Sequence, residues 1–407
     1  MAEDPRLNCK NCGTSVESGS QFCTACGILV RVGARSEVAA SLASADRPAR
    51  TGVTAPRVLP TPEASRRGVF IGLIGFGVTA GLGFLTYART TPAPFWVAQT
   101  PTPIPTATPV PPTATPSPVR LVVDASGGGE FTTIAAALEK LRPRIGNIND
   151  FGRRSPQDTI VVRPGTYKES LVITSDMQII GEGGRAKVIV EGTSGETVVT
   201  FAGGNAKLTG MTIRVVGKGL ADKACGAISV QDGTPVVDDC DLTSSAGCAV
   251  YIHGATSNPT IRNSTIRDSR DGGVSVYGQG LGTIELCLVS GNMSSGVYIK
   301  EGGNPTVRES ELRDNRECGV YVYKQGQGMV EKCVISGNGL SGVETSDSAN
   351  PTVRDCEIRD NKGSGIRVDK EGQGTFTGNA FQRNARGAWF FEASAGKVNR
   401  TGNRPNA

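Results

Sequence analysis

The 407-residue chain has little net charge, few aromatic residues and a single histidine, and each shortage removes a class of function. Lys and Arg number 43 against 38 Asp and Glu, a formal charge of +5. Residues 1–67 hold 9 against 6, residues 68–118 hold Arg89 alone, and the remainder holds 33 against 32. A surface so close to neutral offers no broad electrostatic footprint for nucleic acid or polygalacturonate, so no nucleic-acid partner is expected. The one histidine, His253, is followed by Gly254 rather than by a catalytic partner. From residue 232 onward there is no stretch of helical period either, which turns attention to what recurs there instead.

What recurs is a repeat. Asn-Pro stands at Asn258-Pro259, Asn304-Pro305 and Asn350-Pro351, and both steps are 46. Gly282, Gly328 and Gly374 lie midway, so the elementary unit is 23 residues. Asn292, Asn315, Asn338, Asn361 and Asn384 keep the same step, as do Gly273, Gly296, Gly319, Gly342 and Gly365. A period in this range indicates a solenoid. Each unit carries two or three short β-branched runs between turn residues, so it predicts an all-β parallel β-helix of 23-residue coils, stacked at roughly 4.8 Å.

Other columns follow from that stacking. Ser264, Cys287, Ser310, Cys333 and Cys356, with Cys240 one longer coil earlier, read as small inward side chains beside a bend and as free thiols. The asparagines read as a ladder in which each amide bonds the next coil, a role suited to a residue that tolerates left-handed turns. Arg262, Glu285, Arg308, Glu331 and Arg354 alternate in sign and read as register control.

The stretch from about Asp232 to Phe391, with its alternating "NPTVR…RDN" and "GQG…E…SGN" coils, resembles the β-helix repeats of the pectate-lyase-like superfamily. Upstream, "GGGEFTTIAAAL" and "DTIVVRPGTYKESLVI" resemble the opening of pectin methylesterases, a short capping helix near Phe131–Leu141 followed by the first strands. The resemblance covers roughly Arg120 to Gly396 and implies a right-handed β-helix. It does not carry an activity with it. The motifs that supply the aspartates and arginine of pectin methylesterases have no counterpart here, nor does a pectate-lyase-type Asp-His pair. Asp232, Asp238, Asp239 and Asp241 cluster in the first regular coils, as a solvated turn or as a calcium site.

Three parts precede the β-helix. Cys9, Cys12, Cys23 and Cys26 are spaced as two Cys-x2-Cys knuckles ten residues apart, a pattern that resembles a zinc ribbon holding one structural Zn2+. Gly68 to Ala88 contains no charge, and its 21 residues suffice to cross a bilayer. Arg57, Arg66 and Arg67 lie before it and only Arg89 shortly after, which orients the N-terminus toward the cytoplasm and the repeats outside. "SRRGVFIG" also resembles a twin-arginine export signal, but 65 residues precede it, which favours a single-span anchor. Thr90 to Pro118 is a Pro/Thr-rich spacer. The expected parts are 1–30 ribbon, 31–65 linker, 66–89 transmembrane helix, 90–118 linker, 119–396 β-helix and 397–407 tail.

In the strand that follows the glycine column, Val250, Val274, Val297, Val320 and Val343 are expected to point inward and alternate residues outward. The outward set is Tyr251 and His253, Ser275 and Tyr277, Tyr298 and Lys300, Tyr321 and Tyr323, then Glu344 and Ser346. Five of the seven tyrosines thus fall on one stripe, suited to sugar rings or a protein partner and expected to add little to stability. The leading expectation is a non-enzymatic cell-surface protein, single-pass in the cell membrane, that binds carbohydrate or protein through Tyr251, His253, Tyr277, Tyr298, Lys300, Tyr321 and Tyr323. A degenerate or calcium-dependent polysaccharide lyase or esterase is the first alternative, and a structural stalk or sensor the second.

Overall fold

The computed structural model describes residues 7–8, 15–16, 117–141, 158–193, 195–217 and 225–405. From residue 120 onward the strands form three parallel sheets, visited in turn as the chain coils. The first sheet has 12 strands, from Arg120–Val123 to Val398–Thr401; the second has 11, from Gly165–Lys168 to Arg404–Pro405; the third has 10, from Leu171–Ile173 to Trp389–Phe391. Thr260, Thr283, Thr306, Met329, Thr352 and Thr375 are successive partners in the first sheet, each 23 residues on. The earlier coils are longer. Gln178, Lys207 and Val236 pair at steps of 29, and Val236 pairs Thr260 at 24.

Alternation within each short strand sends one residue inward, and parallel register stacks it on its equivalent. Ile261, Ile284, Val307, Val330, Val353 and Phe376 make one fully buried file, and Leu242, Ile266, Val289, Leu312, Ile335 and Ile358 another. The third sheet contributes two residues per coil, Val250 with Ile252 through Ile366 with Val368. Val250, Val274, Val297, Val320 and Val343 are all inward, as the pattern requires.

The first coil is closed by a helix, Ile134–Leu141, whose Ile134, Ala137, Leu138 and Leu141 are buried. It starts three residues later than expected from the sequence, because Thr133 caps it: Ala136 N donates to Thr133 Oγ1 at 3.2 Å. The Glu169 carboxylate accepts from Ile134 N at 2.9 Å and Ala135 N at 2.7 Å, which satisfies two further orphan donors.

The bends are where buried polar groups must be matched. In the bend between the second and third sheets, Asn315 donates from Nδ2 to the Val289 carbonyl at 3.2 Å and to Asn338 Oδ1 at 3.1 Å. Asn315 N donates to the same Asn338 oxygen at 3.1 Å. The pattern repeats at Asn292, Asn338 and Asn361. The left-handed backbone falls on the preceding residue, not on the asparagine: Gly291, Asp314, Gly337, Asp360 and Arg383, and Asp268 before the equivalent Ser269, all have φ between 46° and 67°. Gly291 and Gly337 leave room for the aspartate one coil before each, whereas Arg383 bonds Asp360 instead. A Cβ at Gly291 would lie 2.6 Å from Asp268 Oδ1, and one at Gly337 2.5 Å from Asp314 Oδ1.

The bend between the first and second sheets uses the Ser and Cys column in the same way. Cys287 Sγ donates toward the Glu285 and Ile261 carbonyls at 3.2 and 3.4 Å, and Cys333 Sγ toward Glu331 and Val307 at 3.3 and 3.5 Å. Asn379 takes over at the C-terminal end, donating to the Val353 carbonyl at 2.9 Å. Cys240, Cys248, Cys287, Cys318, Cys333 and Cys356 are free thiols and buried. The charged column resolves into discrete pairs, each arginine reaching back one coil: Arg262 to Asp238 at 2.9 Å, Arg308 to Glu285 at 2.8 Å and Arg354 to Glu331 at 2.9 Å.

Replacing Asn338 by Ala removes its bonds to Leu312, Asn361 and Asn315 and leaves buried carbonyl and amide groups unmatched. The expected cost is about 2–4 kcal/mol in denaturant unfolding, since each unsatisfied group costs about 1–3 kcal/mol.

Candidate binding surface

The outward face of the third sheet carries two adjacent columns. Tyr251, Ser275, Tyr298, Tyr321, Glu344, Arg367 and Phe390 are successive partners in the first. His253 pairs Tyr277 in the second, and the same step leads on to Lys300 and Tyr323. The seven residues singled out from the sequence are therefore neighbours on one face, each half-buried.

They fall into two groups. Tyr251 and Tyr298 are folded back into the notch between the strand and the bend before it. Cys248 N donates to the Tyr251 hydroxyl at 2.9 Å, while the Tyr298 hydroxyl meets Ser294 Oγ and donates to Glu317 Oε2 at 3.0 Å. The rings lie over glycines: a Cβ at Gly226 would come within 2.9 Å of Tyr251, and one at Gly272 within 2.8 Å of Tyr298. Burial raises the pKa of both phenols. These two tyrosines hold the wall together, contrary to the expectation that outward tyrosines add little to stability. The glycines beneath them, Gly226 and Gly272, were the available sequence signal.

The second group presents ring faces. His253 stacks on Tyr277 with centroids 5.1 Å apart, and Tyr321 stacks on Tyr323 at 4.6 Å. Lys300 Nζ lies between the two stacks, 5.2 Å from the Tyr277 centroid and 6.0 Å from that of Tyr323. Lys324, which the alternation did not reveal, also stands 6.0 Å from Tyr323. The Tyr321 hydroxyl bonds Ser346 Oγ at 3.1 Å, and Ser275 and Ser346, expected outward, are buried. Burial, and then Tyr321, push Tyr323 up to about 12, while burial lowers the pKa of His253 below its ordinary 6.5. An imidazole, three phenols and one ammonium make a surface suited to stacking and hydrogen bonding rather than to proton transfer between paired acids.

The aspartate cluster is engaged by cations. Asp238 binds Arg262 and accepts from Asn263 Nδ2 at 2.8 Å; Asp241 accepts from Arg267 at 2.8 Å; Arg185 stands 3.7 Å from Asp239. Asp232 Oδ1 accepts from Gly233 N. Among the described residues no three His, Cys, Asp or Glu side chains converge as metal ligands. Cys9, Cys12, Cys23 and Cys26 lie outside the described residues, although Leu7–Asn8 and Ser15–Val16, which flank the first knuckle, form an antiparallel pair. Gly68 to Ala88 is likewise outside them, and among the described residues no helix is long and apolar enough to cross a membrane.

The family model described as "Right handed beta helix region" matches residues 188–280 and 252–404, together more than half of the chain. The chain belongs to the right-handed β-helix family. Its β-helix is thus right-handed, as the resemblance implied. No curated protein sequence matches the chain. Among solved structures it is similar to the Azotobacter vinelandii mannuronan C-5 epimerase AlgE6 A-module, at 14% identity over 67% of this chain and 95% of that one, with a TM-score of 0.42. It is similar also to pectate lyase Pel9A, at 14% identity over 66% and 70% with a TM-score of 0.44. Pectin methylesterase from carrot aligns at 13% identity over 71% and 84%, with a TM-score of 0.34.

As the chain's one histidine, His253 is directly readable by NMR. It should titrate below 6.5 in the folded protein, and Tyr277→Ala should move it upward by removing the ring that desolvates it. Because the folded-state pKa is depressed, its contribution to stability is full above about pH 6.5 and declines as pH falls toward the folded value. A His253 shift unchanged in Tyr277→Ala would refute the stacking as its cause.

Proposed function

We propose that this β-helix protein is a non-enzymatic binding protein of the cell surface, whose His253, Tyr277, Lys300, Tyr321 and Tyr323 receive an extended saccharide or a protein segment. The observation that carries the reading is the paired stacks with Lys300 between them, since exposed ring faces around one ammonium are complementary to pyranose faces and hydroxyls or to polar and aromatic side chains. Tyr298 supports the platform from the side, its ring centroid 6.1 Å from that of Tyr321 and 6.2 Å from that of Tyr323. A non-enzymatic role is favoured by the occupation of Asp238 and Asp241 by arginines, which leaves them poorly suited to calcium or to nucleophilic attack.

In the same proposal Cys9, Cys12, Cys23 and Cys26 hold one structural zinc ion on the cytoplasmic side, residues 66–89 cross the membrane once, and residues 90–118 space the β-helix from it. The antiparallel pair around the first knuckle supports the zinc reading, and the arginine asymmetry supports the orientation.

Replacing both Tyr277 and Tyr323 by Ser in the full-length protein should weaken binding on a glycan array or in a partner pull-down by at least about tenfold, since aromatic anchors contribute about 1–4 kcal/mol each. The melting temperature should change far less than in Tyr298→Ser, which also loses the bond to Glu317. A blank array and pull-down for the parent protein would favour a structural stalk, and calcium-dependent polysaccharide turnover would favour the enzyme. Elemental analysis should find one zinc ion per chain, lost in Cys12→Ser.

A further inference from the structure

The notch that Tyr251 and Tyr298 fill recurs along the wall, and in the C-terminal coils no side chain of the wall fills it. A cavity of about 360 Å³ lies there, lined by Leu340, Glu344, Lys362, Arg367, Arg386 and Phe390. Its positions are those of the filled notch. Arg367 occupies the column of Tyr298, two partners beyond Tyr321, and Gly363 and Ser364 precede it as Ser294 and Ser295 precede Tyr298. The residue 19 positions after Tyr298 is Glu317, which accepts from the tyrosine hydroxyl; the residue 19 after Arg367 is Arg386. The end of the notch has therefore changed sign, from an acceptor to a cationic donor.

The remaining walls fit the same change. The Arg367 guanidinium is drawn aside, bonded to Asp369 at 2.8 Å and stacked 4.9 Å from the Phe390 centroid. Among the described residues neither Lys362 nor Arg386 enters an ion pair, so two cations stand against the single carboxylate of the cavity wall, Glu344, whose Oε2 already accepts from Cys318 Sγ at 3.3 Å. Leu340 and Phe390 are 48% and 40% exposed, which leaves apolar surface for a ring to cover.

We propose that this cavity binds an aromatic carboxylate, its ring taking the place that the Tyr298 ring takes three coils earlier, and its anionic group meeting Arg386 and Lys362. The site is separate from the His253–Tyr323 surface and stands or falls without it. The probe is benzoate with the full-length protein, observed by saturation-transfer NMR on the probe, with glucuronate and cyclohexanol as controls for an anion on a non-aromatic ring and for a ring without charge. Saturable transfer to benzoate is expected, well above that to either control, and weakened at least about tenfold in Arg386→Glu. Because Arg386 is exposed, that variant should keep its melting temperature; Lys362→Glu, also exposed, checks the same cation pair independently. No transfer to benzoate, equal transfer to glucuronate, or binding undiminished in both variants would overturn the proposal.

Discussion

The structure depends on matching buried backbone groups at the bends. Parallel strands of three or four residues satisfy one another within each sheet, but every coil must turn three times between sheets, and buried main-chain groups at those turns need partners. One asparagine per bend answers this at the second turn: its amide nitrogen serves a carbonyl of the preceding coil, and its oxygen receives the main-chain amide of the coil before. Because each asparagine also bonds the next, the column enforces a single register, and the apolar files stack only in that register. Serine, cysteine and asparagine are interchangeable at the other bend because each can donate to the carbonyl 26 residues back or cap the main chain there.

Much of this is legible in the sequence because it depends on equal spacing. The 23-residue step predicts parallel pairing of Thr260 through Thr375, the inward valines, the asparagine ladder and the paired charges, and all are found. What the period does not convey is the direction a half-buried side chain takes after leaving the backbone. Tyr298 and Tyr321 occupy equivalent positions, yet one reaches back to Ser294 and Glu317 and the other toward Ser346. That choice depends on the bend residues of neighbouring coils, such as Gly272 beneath the Tyr298 ring. The left-handed residue was similarly misplaced by one position, since Asn is the conspicuous turn former but its side chain is committed inward.

Function is less visible than fold for a related reason. A solenoid makes columns of like residues whether or not a ligand is bound, so a stripe of tyrosines combines structural and exposed members. The bend glycines beneath the rings separate them here. Tyr251 and Tyr298 are tied into the wall, whereas His253, Tyr277, Lys300 and the Tyr321–Tyr323 stack keep ring faces available. The family shares a backbone architecture that leaves these outward choices open.

The Asp and Gly alternation has a consequence for how such a chain changes length. Asp268 covers the place a Cβ would take at Gly291, and Asp314 does the same at Gly337. Excising one 23-residue coil would bring two aspartates, or two glycines, onto adjacent turns and would set like charges against each other in the Glu285–Arg308 column. Excising 46 residues rejoins an Asp turn to a Gly turn and an acid to a base. A change of length that keeps both patterns is therefore one of two coils, which alters the height of the stack by roughly 10 Å.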